Sequence, residues 1–202
     1  MSFEQTFLSL IALWLGLGYL LGSIPFGLVL AKLMGLGNLR DIGSGNIGAT
    51  NVLRTGNKVA AALTLLLDGG KGAVAVFLAQ AISGGDLGLF AGLGAMIGHC
   101  YPVWLRFAGG KGVATFLGII LALNIWAGLG CCAAWLVGAL STRISSMGAL
   151  VSSLVAVPLM YVLHSPAAAG VAAVLAALIY WRHRSNIARI RAGTEPKIGQ
   201  KG

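Results

Sequence analysis

From residue 59 to residue 82 the chain passes through apolar and small residues with only two charges, Asp68 and Lys71. At about 1.5 Å per residue in a helix, such a run is long enough for the about 30 Å hydrocarbon core of a bilayer. Further apolar runs cover about 5–31, 87–104, 113–142, 146–163 and 166–181. With 57% hydrophobic and 9% charged residues, the 202-residue chain is excluded from the soluble globular class. Lipid offers no water to bond an exposed backbone, so runs of this length predict an all-α integral membrane protein. The 31 glycines allow the close helix approach that packing in lipid requires.

Topology follows from the positions of the basic residues. A net charge of +9 would raise nucleic acid as a partner of a soluble protein, but here each cation must first be placed relative to the bilayer. Every Lys and Arg lies in residues 32–58, at Lys71, in 106–111, at Arg143, or from Arg182 onward, and segments 82–87, 123–129 and 163–167 have none. The positive-inside rule puts the basic set in the cytoplasm, with the N-terminus outside and the C-terminus inside. Pro25, in "GSIPFG", is expected to kink or cap the first run. The opening "MSFEQTFLSLIALWLGL" lacks a basic start and a small-residue cleavage site, and so reads as a retained helix. Because Lys111 and Arg143 share a side, the chain between them crosses an even number of times. Two legs of about 14 residues reach only about 21 Å. The expectation is therefore about seven transmembrane helices, the fourth and fifth short or partly re-entrant about a turn near Asn124. The chain reads as one polytopic domain, 1–202, with cytoplasmic-side polar blocks at 38–58, 98–115 and 182–199.

Those blocks carry the candidate chemistry. In "NLRDIGSGNIGATNVLRTGNK", Gly43 and Gly45 (with Gly48) can offer backbone N–H groups to an anion; Ser44, Asn46, Thr50 and Asn51 add hydroxyl and amide donors, and Arg54 a guanidinium fork. The same stretch also reads as an ordinary loop whose positive charge sets topology. In "GHCYPVWLRFAGGKGVAT", Gly109, Gly110 and Gly112 wrap Lys111 just before a helix that contains Thr115. Free N–H groups, a positive dipole end and an ammonium could converge there on one phosphate. A P-loop is ruled out, since Gly112 stands where GxxxxGK(S/T) needs a hydroxyl. His99 either bonds within the site or caps a helix.

Asp68 and Lys71, in "DGGKG", are three apart on one helix face, where they serve either a phosphate site or a helix lock. In "WRHRSNIARIRAGTEPKIG", His183 and Asn186 share a face, whereas Arg182, Arg184, Arg189 and Arg191 also suit anionic lipid. Glu195 is the lone acid there. Cys100, Cys131 and Cys132 have no metal-ligand spacing and read as small packing residues.

Taken together, "GSGNIGATNVLR", "GHCYPVWLRFAGGKGVAT" and "HRSNIARIRAGTE" resemble the three motifs of the bacterial membrane acyltransferases of the PlsY type, in order, over about residues 22–199. The resemblance implies acyl transfer from acyl-phosphate to the 1-hydroxyl of glycerol 3-phosphate, giving lysophosphatidic acid and phosphate. It implies the bacterial inner membrane, a site on the cytoplasmic side, no cofactor and no metal, and as partners membrane lipid and the enzymes that supply acyl-phosphate. By motif, Ser44, Arg54, Lys111, His183 and Asn186 are the implied catalytic residues. Lys71, Thr115 and the glycines and amides named above are expected to hold phosphate, with His99, Asp68 and Glu195 in support.

The residues agree with that chemistry and narrow it. An HxxxxD dyad is absent, since Trp104, Ala169 and Ala188 stand five residues after the three histidines. With five acids in the chain no His–carboxylate pair is evident to activate a hydroxyl, which fits a donor that is already activated. A small-anion transporter would also use cations and broken helices, but it calls for ionisable groups deep in several spans. A CDP-alcohol phosphotransferase would call for an acidic, metal-binding cluster that Asp41, Asp68 and Asp86 do not form.

Overall fold

The computed structural model describes residues 2–199, which are helical with no strand among them. Helices α1 (Phe3–Gly22) and α2 (Phe26–Leu33) form the first apolar run, broken at Ser23–Pro25 where proline removes an N–H. Ser2 opens α1 with a capping box: its Oγ accepts from Gln5 N at 3.2 Å, and Gln5 Oε1 accepts from Ser2 N at 3.0 Å. A polar segment with the short α3 (Ala49–Val52) leads to α4 (Lys58–Ser83), capped by Asn57 Oδ1. Then come α5 (Leu87–Cys100), α6 (Val113–Leu123), α7 (Ile125–Thr142), α8 (Ser145–Leu163), α9 (Pro166–Arg182) and α10 (Arg184–Arg191).

Five helical stretches among the described residues are long and apolar enough to cross a membrane: Glu4–Leu33, Lys58–Ser83, Leu87–Leu105, Ile125–Thr142 and Ser145–Leu163. Val113–Leu123 and Pro166–Arg182 are apolar but shorter. The turn at Asn124 falls where the sequence places it, but the two legs are unequal. The fourth, α6, is about 16 Å long, whereas α7 reaches about 27 Å and is not a short helix. The imbalance has a local cause: α6 cannot start before Gly112, which holds a left-handed φ of 82°. Asn124 then ends α6, and its Oδ1 caps α7 by accepting from Ala127 N at 3.0 Å.

Small residues set the packing. A Cβ on Gly22 would stand 2.0 Å from Ala95 O, and one on Gly94 2.2 Å from Leu15 O, so α1 and α5 touch backbone to backbone. The main core gathers Val76, Leu89, Met96, Phe116, Ile120, Met160 and Ile179 from α4, α5, α6, α8 and α9. Asn124 Nδ2 donates to Leu163 O at 2.8 Å at one end of this bundle. The three polar blocks meet at the other.

Candidate functional site

The centre of that polar end is Lys111. Its half-buried ammonium donates to Asn186 Oδ1 at 2.5 Å, and Asn186 Nδ2 donates to Glu195 Oε1 at 2.5 Å. A carboxylate only accepts, so the amide orientation is fixed: nitrogen toward Glu195 and oxygen toward Lys111. Ser146 Oγ donates to the same Glu195 oxygen at 2.8 Å, and Arg189 Nε to the other at 2.7 Å. Lys111 is thus held by a neutral amide while the neighbouring carboxylate is occupied elsewhere, and its charge faces no direct counter-ion. The fields of Arg54, Arg182 and Arg189 reach it, together with that of Glu195. A cluster of four cations around one acid is built for an anion of more than one charge.

Burial, with those arginines, pushes the Lys111 ammonium down to about 8. Burial also pushes Glu195 up, but the hydrogen bonds from Asn186, Ser146 and Arg189 outweigh it and hold the carboxyl below its ordinary value. Burial and the nearby Lys111 cation push His183 down to about 4, against its bond to Ile179 and the field of Glu195. His183 Nδ1 lies 2.8 Å from Ile179 O. A carbonyl accepts, so Nδ1 carries the proton and Nε2 is left as an acceptor.

The glycine loops are used differently from the sequence expectation. Gly109 N–H donates to Cys100 O and Gly110 N–H to His99 O, both at 3.1 Å, so neither is presented to a ligand. These glycines are needed for closeness instead, since a Cβ would stand 2.1 Å from His99 O at Gly109 and 2.2 Å from His99 Nε2 at Gly110. Arg182 clamps the loop from α9, donating from Nε to Gly110 O at 3.0 Å and from Nη2 to Gly109 O at 2.9 Å. Gly112 ends the loop as the uncapped lead into α6.

In the first block, Gly45 N–H bonds Ile42 O at 2.9 Å. Asn51, expected to hold phosphate, is committed to its own loop. Its Oδ1 accepts from Ser44 N at 3.1 Å, and its Nδ2 donates to Leu39 O at 2.9 Å and Asn46 O at 2.7 Å. Asn46 Oδ1 accepts from Ile47 N at 3.0 Å. Ser44 Oγ points at Asn51 Oδ1 from 3.4 Å. Arg54 lies over Gly43, where a Cβ would come within 2.5 Å of its Nη1, and φ is 52°. Thr50 stays at the rim, 3.4 Å from Ser145 Oγ.

Two expected phosphate ligands lie away from the cluster. Thr115 is fully buried and donates to Asp68 O at 2.9 Å. Lys71 donates to Asp68 Oδ1 at 2.6 Å and to Ile24 O at 2.8 Å, so its protons serve the α1–α2 break. Conversely, Arg40, Ser146, Arg182 and Arg189 join the site although the sequence did not single them out for it. Arg40 bridges the first two blocks by donating to Gly45 O and Ala108 O. Position 40 lies 68 residues from its partner at 108, and spacing carries no signal at that range.

A family model described as glycerol-3-phosphate acyltransferase matches residues 12–193. The chain is 73% identical over 197 residues to the glycerol-3-phosphate acyltransferase of Roseobacter denitrificans, covering 98% of each chain. It is 62% identical over 192 residues to that of Ruegeria pomeroyi, covering 95% of each. Its fold is similar to the crystal structure of PlsY (YgiH), an integral membrane glycerol 3-phosphate acyltransferase. Against the glycerol 3-phosphate form the TM-score is 0.88 at 39% identity, over 94% of this chain and 96% of that one. Against the lysophosphatidic acid form it is 0.86 at 38%, over 94% and 95%.

Proposed function

The chain belongs to the glycerol-3-phosphate acyltransferase family, and from that premise we propose that it moves a fatty acyl group from an acyl-phosphate to the 1-hydroxyl of sn-glycerol 3-phosphate. The products are 1-acylglycerol 3-phosphate, which is lysophosphatidic acid, and inorganic phosphate. The observation that carries this reading is the Lys111 ammonium held by the Asn186 amide among Arg54, Arg182 and Arg189. It offers charge to two phosphate-bearing substrates at once. The acyl carbon binds the attacking oxygen, its bond to the phosphate oxygen breaks, and the hydroxyl proton leaves on the phosphate. Positioning and charge stabilisation carry the rate, because the donor brings both a good leaving group and a base. Ser44 and Asn186 orient the reactants around Lys111 and Arg54.

His183 is the other acceptor at hand. At about 4 it is too weakly basic to act as the essential base at neutral pH, and we assign it to orienting the hydroxyl through Nε2. His183→Ala is therefore expected to lower kcat by about tenfold. A loss of about a thousandfold or more in single-turnover assays would make it the base instead.

A second expectation concerns pH. Lys111 is charged below about 8 and neutral above, so kcat/KM for glycerol 3-phosphate should fall as pH rises through 8. Bound phosphate favours the charged ammonium, so kcat itself should stay flat to higher pH. Initial rates from pH 6 to 10 measure both.

The enzyme is proposed to lie in the bacterial inner membrane as one polytopic domain. It would have about seven crossings, its N-terminus outside, and the polar end of the bundle in the cytoplasm, where the enzymes that make acyl-phosphate can deliver it. The direct test offers purified protein in lipid glycerol 3-phosphate with palmitoyl-phosphate or with palmitoyl-CoA, and assays lysophosphatidic acid by mass. Product from palmitoyl-phosphate alone is expected. Product from palmitoyl-CoA alone would overturn the donor assignment.

A further inference from the structure

We propose that Asp68, Lys71 and His99 form a positioning clamp, buried among the spans, that sets the Lys111 loop and thereby the affinity for the phosphate of glycerol 3-phosphate. This rests on the reading of Lys111 as the phosphate-binding cation.

The three side chains are 3–6% exposed. Lys71 Nζ pins Asp68 Oδ1 at 2.6 Å and also holds Ile24 O at 2.8 Å. His99 Nδ1 is buried with no hydrogen-bond partner among the described residues, and Asp68 Oδ1 stands 3.8 Å from it. Burying an ion pair costs more desolvation than the pair returns, unless its geometry is used for something. Helix packing does not require it here. A Cβ on Gly118 would stand 2.0 Å from Gly69 O, so α4 and α6 already lock through glycine.

The cluster does hold the loop, from both sides. Downstream of Lys111, Thr115 Oγ1 donates to Asp68 O at 2.9 Å. Upstream, Gly110 N–H donates to His99 O at 3.1 Å, and the His99 ring fills the space where a Gly110 Cβ would lie. Lys111 sits between these two attachments, and both lead to one residue of α4. A carboxylate fixed by Lys71 thus fixes the imidazole, and the imidazole fixes the backbone that aims Lys111. The second GGKG lysine acts on phosphate through the first without touching it.

The test measures KM for both substrates in the full chain, reconstituted in lipid. His99→Ala is expected to raise KM for glycerol 3-phosphate about tenfold and to leave KM for palmitoyl-phosphate within twofold. Asp68→Asn keeps the shape and is expected to raise the same KM about threefold or more. Gly110→Ala alone should lose at least about tenfold in kcat/KM, and adding His99→Ala should recover part of that by vacating the ring's space. Equal rises in both KM values, a fall in kcat alone, or additive effects of the two substitutions would reduce the cluster to packing and overturn the clamp. Should His99→Ala fail to fold, an unchanged KM ratio in Asp68→Asn overturns it equally. Wild-type protein that makes no lysophosphatidic acid would instead sink the underlying acyltransferase reading, which separates the two failures.

Discussion

Lys111→Met is expected to lower kcat/KM for glycerol 3-phosphate by about a thousandfold or more, with the protein still folded. Methionine keeps the length of the side chain and removes only the charge and its three donors. Removing one neutral donor from a charge-stabilising site costs about a hundred- to a thousandfold, and a charged donor to phosphate is about twice as strong. Stability should change little, because the ammonium's one hydrogen-bond partner, Asn186 Oδ1, lies in a half-exposed polar end and not in the core. Lys111→Arg should rescue poorly. The planar fork has no room to enter where the Asn186 oxygen stands at 2.5 Å. Steady-state kinetics beside a thermal melt checks this, and near-wild-type kinetics in Lys111→Met would contradict it.

Asn186→Asp should be nearly as damaging, for the opposite reason. The amide now separates Lys111 from Glu195, accepting from one and donating to the other at 2.5 Å each. A carboxylate at 186 would pair with Lys111 directly and face Glu195 with like charge. Either Lys111 is neutralised, or a proton is trapped between the two acids. Both outcomes remove charge from the substrate phosphate, and KM for glycerol 3-phosphate is expected to rise about a hundredfold. The substitution is isosteric, so lost packing does not account for such a rise. The alkaline limb at about 8 should also move up, since a direct counter-ion favours the ammonium. An unchanged KM with an unchanged limb would show that the Asn186 amide does not govern the charge of Lys111.

The sequence made the helical architecture legible because lipid imposes a strict length and composition on every span. Pro25, Asn57, Asn124 and Pro166 mark the breaks by local chemistry that a reader of the chain can see. The lengths of α6 and α7 were not legible. They depend on where Gly112 turns, and hydrophobicity alone distributes 113–142 evenly. At the site, Lys111, Asn186, Arg54 and Glu195 were visible as motif residues, and the structure does bring them together.

What each polar group does with its hydrogen bonds was not visible. Gly109, Gly110, Asn51 and Thr115 look like ligand donors in the sequence, yet each is occupied by a partner the fold supplies. Arg182 and Ser146 reach across 72 and 49 residues, distances over which spacing carries no information. Lys71 shows the same limit: its partner Asp68 is local and readable, while Ile24 O, 47 residues away, is what ties it to the α1–α2 break.

The most direct measurement is calorimetric titration of the lipid-embedded protein with glycerol 3-phosphate, and with glycerol as the phosphate-free control, in wild type and in Lys111→Met. Wild type should bind glycerol 3-phosphate at pH 7, bind it more weakly at pH 9, and show no heat with glycerol, while Lys111→Met should bind neither. Equal binding of glycerol 3-phosphate by wild type and Lys111→Met would contradict the account, because the phosphate would then be held somewhere other than this lysine.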